Sequence, residues 1–169
     1  EAERESDEAQ HEVTLSPFWV GRYEVTQKEY RNVVGTNPSN FKGDRLPVDS
    51  VSWYDAVEFC NRLSRKYNLS PYYKIDRTGT DSNNLNPQDT MKYIVTILGG
   101  NGFRLLTESE WEYACRAGTT TPYSYGGSLD GAIANFAGAG KNSTTPAGSF
   151  KPNGYGLYDM HGNAWEWCW

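Results

Sequence analysis

A chain of 169 residues, 37% hydrophobic and 14% aromatic, is long enough to bury one sizeable core and is expected to form a single domain. Its net charge of -5 and pI near 5.1 argue against nucleic acid as a partner, because phosphate neutralisation needs a clustered Lys/Arg face and none is visible. No run approaches the roughly 18 consecutive apolar residues of a membrane span, and no charged start leads into an apolar signal segment.

The chain opens on Glu1 and stops at Trp169 inside an aromatic cluster, so both ends read as fragment boundaries. An extracytoplasmic location, the bacterial periplasm or cell surface, is expected if a signal peptide was removed. Residues 1–10 are acidic and nearly devoid of large apolar side chains, the pattern of a solvated tail, which leaves 11–169 as the domain. From Val13 to Val25 aromatic and β-branched residues dominate, broken by Pro17 and Gly21. This predicts two short strands at an edge or bend.

Thr26-Gln27-Lys28-Glu29 fits a capping box, with a hydroxyl to accept from the N3 amide and a carboxylate to reach back, and predicts a helix to about Val34. Ser52-Trp53-Tyr54-Asp55 repeats the device ahead of Ala56, Val57, Phe59, Cys60 and Leu63 at helical spacing. Thr107-Glu108-Ser109-Glu110 is a third, with Trp111, Ala114 and Cys115 as the inward stripe and an end near Gly118. Between the second and third helices, the Asn-rich stretch Asp76 to Asp89 and the β-rich run from Tyr93 to Ile97 predict an inserted loop and hairpin.

After Gly118 the chain turns rich in Gly, Ser, Thr, Asn and Tyr with no helical period. Such a segment is either disordered or pinned by buried aromatics and bound ions, and the placing of Tyr123, Tyr125, Phe136, Phe150, Tyr155 and Tyr158 favours pinning. Cys60, Cys115 and Cys168 lack the spacing of a zinc site. Cys60 and Cys115 read either as small apolar residues or as half-cystines, and the odd count leaves at least one thiol unpaired. His11 and His161 stand far apart with no carboxylate at motif spacing, so a hydrolytic triad has no support.

Asp159 and Glu166 are hard oxygen donors separated by a Gly-containing turn whose carbonyls can complete a Ca²⁺ shell. The plainer reading has Asp159 capping a turn and Glu166 paired with an arginine.

Four segments in order, Phe18 to Thr26 (FWVGRYEVT), Pro47 to Cys60 (PVDSVSWYDAVEFC), Phe103 to Gly118 (FRLLTESEWEYACRAG) and Asn153 to Trp167 (NGYGLYDMHGNAWEW), resemble the formylglycine-generating-enzyme (sulfatase-modifying factor) family. The insert from about Arg65 to Gly102 departs from its shortest members. The resemblance implies an α+β, C-type-lectin-like fold with little regular secondary structure, short helices and small antiparallel sheets. It implies calcium held by the side chains of Asp159 and Glu166 and the carbonyls of Gly162 and Ala164. The family's second calcium site is matched at Asn135 and Phe136 alone, its downstream Asp having no counterpart in the Gly-Ala-Gly-Lys loop.

The activity implied is copper- and O₂-dependent oxidation of a cysteine in a sulfatase's Cys-x-Pro-x-Arg motif to formylglycine, so that a sulfatase-type protein or peptide is the implied partner. The two thiolates that grip Cu(I) lie, in the family, beyond Trp-Glu-Trp. No catalytic residue is therefore assigned here, and Cu(I) would belong only to a longer form. Cys60 and Cys115 match positions that some members bond to cysteines of that same segment. Trp165 matches a tryptophan of the active-site cleft, against the alternative of a core aromatic. The competing function is a non-catalytic, C-type-lectin-like ligand-binding module. Without the downstream segment an open sheet edge and marginal stability are expected.

Overall fold

The computed structural model describes residues 12–87 and 89–169, so the expected tail at 1–10 and His11 lie outside the described residues. Three helices form where the capping boxes predict them: α1 (Gln27–Val34), α2 (Trp53–Lys66) and α3 (Glu108–Arg116). In each, the Thr or Ser hydroxyl accepts from the N3 amide while the N3 carboxylate accepts from the N-cap amide. Helix α1 stops on Gly35 at φ +94°, and α3 stops on Ala117 and Gly118, both left-handed, where the chain turns away.

Strands β1 (Tyr73–Asp76) and β2 (Ile94–Ile97) pair antiparallel, Tyr73 opposite Ile97 and Asp76 opposite Ile94, which is the hairpin expected in the insert. The strands expected between Val13 and Val25 do not form. That segment forms isolated backbone bonds rather than a ladder: Arg22 accepts from the Tyr158 amide at 3.1 Å, and Val25 from the Val48 amide at 2.9 Å beside the Thr26–Pro47 bridge. Pro17 lacks a donor and, among the described residues, no ladder partner lies alongside, so an apolar alternation makes extended backbone without a sheet.

Two apolar clusters make the core. Val57 and Cys60 of α2 pack with Tyr73 of β1, joined by Trp53, Ile75, Val95 and Leu105. Ala114 and Cys115 of α3 pack with Leu157, Met160 and Trp111. The last residues close over the first cluster: Trp169 stacks on Tyr73 at 4.9 Å, and the Trp53 indole donates to the Cys168 carbonyl at 2.9 Å.

Buried amides hold what sheets would hold elsewhere. Asn61 on α2 donates to the Tyr73 carbonyl and accepts from the Tyr73 amide, so it acts as a substitute strand for β1. Gln27, wholly buried, donates to Phe41 and Pro47 carbonyls and accepts from Asn37 and the Gly43 amide, which fixes the 37–47 loop. Arg104 grips Glu110 through two bonds of 2.6 Å and holds that carboxyl below its usual range.

Aromatic contacts tie the 119–169 segment to its neighbours, but the six aromatics expected to be buried are half-buried, or exposed at Tyr155, because they lie over the loops rather than inside either apolar cluster. Tyr158 stacks on Tyr23, Tyr155 meets Tyr113, Tyr123 and Tyr125 set their edges against His161, and Lys141 caps the Phe150 ring.

Replacing Asn61 by Ala leaves both polar groups of Tyr73 unpaired in the core. The expected loss is about 2–3 kcal/mol in denaturant unfolding, and a loss below about 0.5 kcal/mol would contradict the substitute-strand role. Because Glu110 titrates below 4.5 in the folded state, its pairing with Arg104 stabilises fully above that pH and is lost as pH falls through the lowered value. Glu110→Gln should therefore cost stability at pH 7 and much less near pH 3, as read by thermal melts across that range.

Candidate functional site: a carboxylate cluster beneath an open aromatic cavity

The turn from Asp159 to Ala164 is tightly coiled, with Asp159, Gly162 and Asn163 all at positive φ. The Gly162 amide donates to the Asp159 carbonyl at 3.2 Å and the Ala164 amide to the Gly162 carbonyl at 3.1 Å. A Cβ on Gly162 would collide with the Asn135 carbonyl, so only glycine lets the two loops touch.

Asn163 is the junction. Its amide donates to the Asn135 carbonyl at 2.6 Å, its Oδ1 accepts from Asn135, from the Thr145 amide and from the Thr145 hydroxyl, and its Nδ2 donates to Glu24 at 2.7 Å. One side chain thus joins the N-terminal segment, the 135–145 loop and the turn.

Three carboxylates converge here. Burial pushes Glu24 up to about 8, opposed by the Asn163 bond and reinforced by the charges of Asp159 and Glu166. Burial likewise raises Asp159, against one bond of 2.6 Å from the Gly148 amide. Glu166 is exposed as a residue, its carboxylate accepts from the Trp111 indole, and desolvation there raises it. Among the described residues no arginine pairs with Glu166, and the Asp159 side chain accepts from the Gly148 amide of a neighbouring loop.

The donor set suits a hard cation. One oxygen of Asp159 and one of Glu24 are buried with no hydrogen-bond partner, and every group offered is oxygen: Asp159, Glu166 and the carbonyls of Gly162 and Ala164. Among the described residues no three Asp, Glu, His or Cys side chains surround one point at ligating distance. Asn135 and Phe136 are placed differently. The Asn135 amide nitrogen donates to Ser143 and Asn163, the Phe136 carbonyl accepts from Ala139, and among the described residues no group of three carboxylate, His or Cys side chains includes them.

Beside the cluster opens a cavity of about 310 Å³ lined by Val20, Tyr23, Phe103, Leu105, Trp111 and Trp165 among others, with Glu24 and Glu166 on its wall. Trp165 is 103% exposed, which removes the core-aromatic reading and leaves a bare indole at the cavity.

The chain matches the model of the sulfatase-modifying factor enzyme 1-like domain over residues 1–169. It belongs to that family. It is 46% identical over 177 residues to a protein named chaperone protein LppX from Paenibacillus barcinonensis, covering 93% of this chain and 63% of that one. It is 38% identical over 194 residues to a formylglycine-generating enzyme of Thermomonospora curvata, covering 92% and 60%. Among solved structures, Treponema denticola variable protein 1 superimposes with a TM-score of 0.72 at 36% identity, covering 86% and 59%. The fold is the α+β, C-type-lectin-like one of this family, and the chain spans less than two thirds of the length of these relatives.

The family domain places no thiolate pair among the described residues. Cys60 and Cys115 sit in separate apolar clusters as free thiols, each pushed up to about 12 by burial, and Cys168 is also free and raised. Sequence reasoning missed Glu24 and Asn163, which become meaningful only across the fold. The sole local sign was a carboxylate set between Tyr23 and Val25 in an apolar run. It also missed that His161 accepts from the Ser124 amide at 3.0 Å and lies 3.6 Å from the Cys115 sulfur.

Asn163→Ala should lower the melting temperature by roughly 6–12 °C, the equivalent of about 3 kcal/mol in a chain this size, since it frees several buried partners at once. A shift under about 2 °C would show that the junction is not needed.

Proposed function

We propose that this chain is a calcium-supported polypeptide-recognition domain, whose aromatic cavity takes an extended segment of another protein. The observation that carries the reading is the bare Trp165 indole at the edge of an apolar cavity. An exposed tryptophan beside a mostly apolar cavity is the kind of anchor that dominates binding hot spots once a partner covers it. Calcium fits as the element that stiffens the turn carrying Trp165, because Gly162, Ala164 and Glu166 flank that residue. A relative named as a chaperone and relatives named as formylglycine-generating enzymes both favour a protein partner, with a sulfatase-type Cys-x-Pro-x-Arg segment as the first candidate.

A second reading, oxidation of such a cysteine with copper and O₂, is favoured by the formylglycine-generating relatives. Bound Cu(I) would supply O₂ activation through two soft thiolates. The three cysteines described here are buried or separated and do not fit that role, so the reaction would belong to a longer form carrying a further cysteine pair. In either case this chain contributes the groove, the exposed indole and the stiffened turn that present the peptide.

Titration of a fluorescent Cys-x-Pro-x-Arg peptide, with its Ser-substituted form as comparison, tests the reading. Binding of either peptide is expected, and Trp165→Ala should weaken it by about thirtyfold, corresponding to a hot-spot cost near 2 kcal/mol. Equal binding by wild type and Trp165→Ala would sink the assignment of the cavity. Calcium at about a hundred times its Kd should add about 2.7 kcal/mol of stability over protein in EDTA, and an unchanged melt would remove calcium from the proposal.

A further inference from the structure

We infer that Glu24 is a third carboxylate donor to the cation held by Asp159 and Glu166, so that one ion fastens the N-terminal extended segment to the Gly-containing turn. The inference rests on the calcium reading above but adds a residue that the family resemblance does not number among the ligands.

Glu24 and Asp159 are each only 8% exposed, and each keeps one carboxylate oxygen buried without a hydrogen-bond partner. An orphaned carboxylate oxygen in the interior is costly unless a proton or a cation meets it. The other oxygen of Glu24 is fixed by Asn163, so the carboxylate is held against the very turn that offers the ligands. None of the ion pairs among the described residues involves Glu24, Asp159 or Glu166. The nearest guanidinium in sequence, Arg22, lies over the Tyr23 and Tyr158 rings and donates to the Gly156 carbonyl instead.

Chemistry chooses the ion. Asp159, Glu166 and the carbonyls of Gly162 and Ala164 supply four ligand groups, reaching six oxygens only if both carboxylates bind bidentate, so the roughly 6–8 oxygens that Ca²⁺ takes leave room for one more carboxylate plus water. Glu24, Ala164 and Glu166 line the same cavity, which gives the ion a way in. The carboxylates do not yet surround a common point, so the ion must draw them together, as its flexible coordination allows.

The test compares wild type, Glu24→Gln and Asp159→Asn by Ca²⁺ calorimetry and by Tb³⁺ luminescence lifetimes in H₂O and D₂O, which count the waters on the bound ion. Glu24→Gln should fold in EDTA at least as well as wild type, since it removes a buried acid. It should also lose about tenfold or more in Ca²⁺ affinity and gain about one water on Tb³⁺. Unchanged affinity and water count in Glu24→Gln, with binding lost in Asp159→Asn, would overturn the role of Glu24 and leave the calcium reading standing. No binding of either ion by wild type would overturn the calcium reading itself. Should Glu24→Gln fail to fold, Glu24→Asp keeps the charge on a shorter arm and is expected to give the same extra water.

Discussion

A polypeptide with three short helices and one two-stranded hairpin must still pair the backbone groups it buries, and this constraint governs the rest of the structure. Side-chain amides meet it. Asn61 completes β1, Gln27 gathers the 37–47 loop, Asn153 donates to the last carbonyls of α3, and Asn135 and Asn163 lace the final loops together. Each carries both donor and acceptor on one rigid fork, which is the chemistry a missing strand would have supplied. Long irregular stretches are tolerated here because their polar groups are answered one by one.

The same economy creates the electrostatic character of the site. At Arg104 and Glu110 opposite charges meet and the acid is held ionised. At Glu24, Asp159 and Glu166 three acids lie near one another with no ion-pair partner among the described residues, and desolvation shifts their carboxyls in the protonated direction. One set of charges locks a helix start, while the other is left uncompensated on the wall of the cavity that Trp165 also lines.

The sequence made the helices legible because each carries its start within four residues, and the hairpin was legible because β-branched residues crowd between Tyr93 and Ile97. The run from Val13 to Val25 misled for a physical reason: alternation reports which faces are apolar, whereas a strand also needs a neighbour to pair with. The candidate turn from Asp159 to Glu166 could be singled out as a local motif, and Trp165 from the resemblance. Glu24 could not, because its meaning lies in a bond to Asn163 across 139 residues. The exposure of Trp165 was equally hidden, since a tryptophan between Ala164 and Glu166 reads the same whether it points in or out.

That long separation also bears on the order in which the chain folds. The capping boxes can close as soon as their own residues emerge, while the junction at Asn163 must wait until the two ends of the chain have found each other. The helices and hairpin are therefore expected to be in place at the folding transition state, with the Asn163 turn joining afterwards. Damage to that turn should leave the rate of folding nearly unchanged and shorten the lifetime of the folded protein instead.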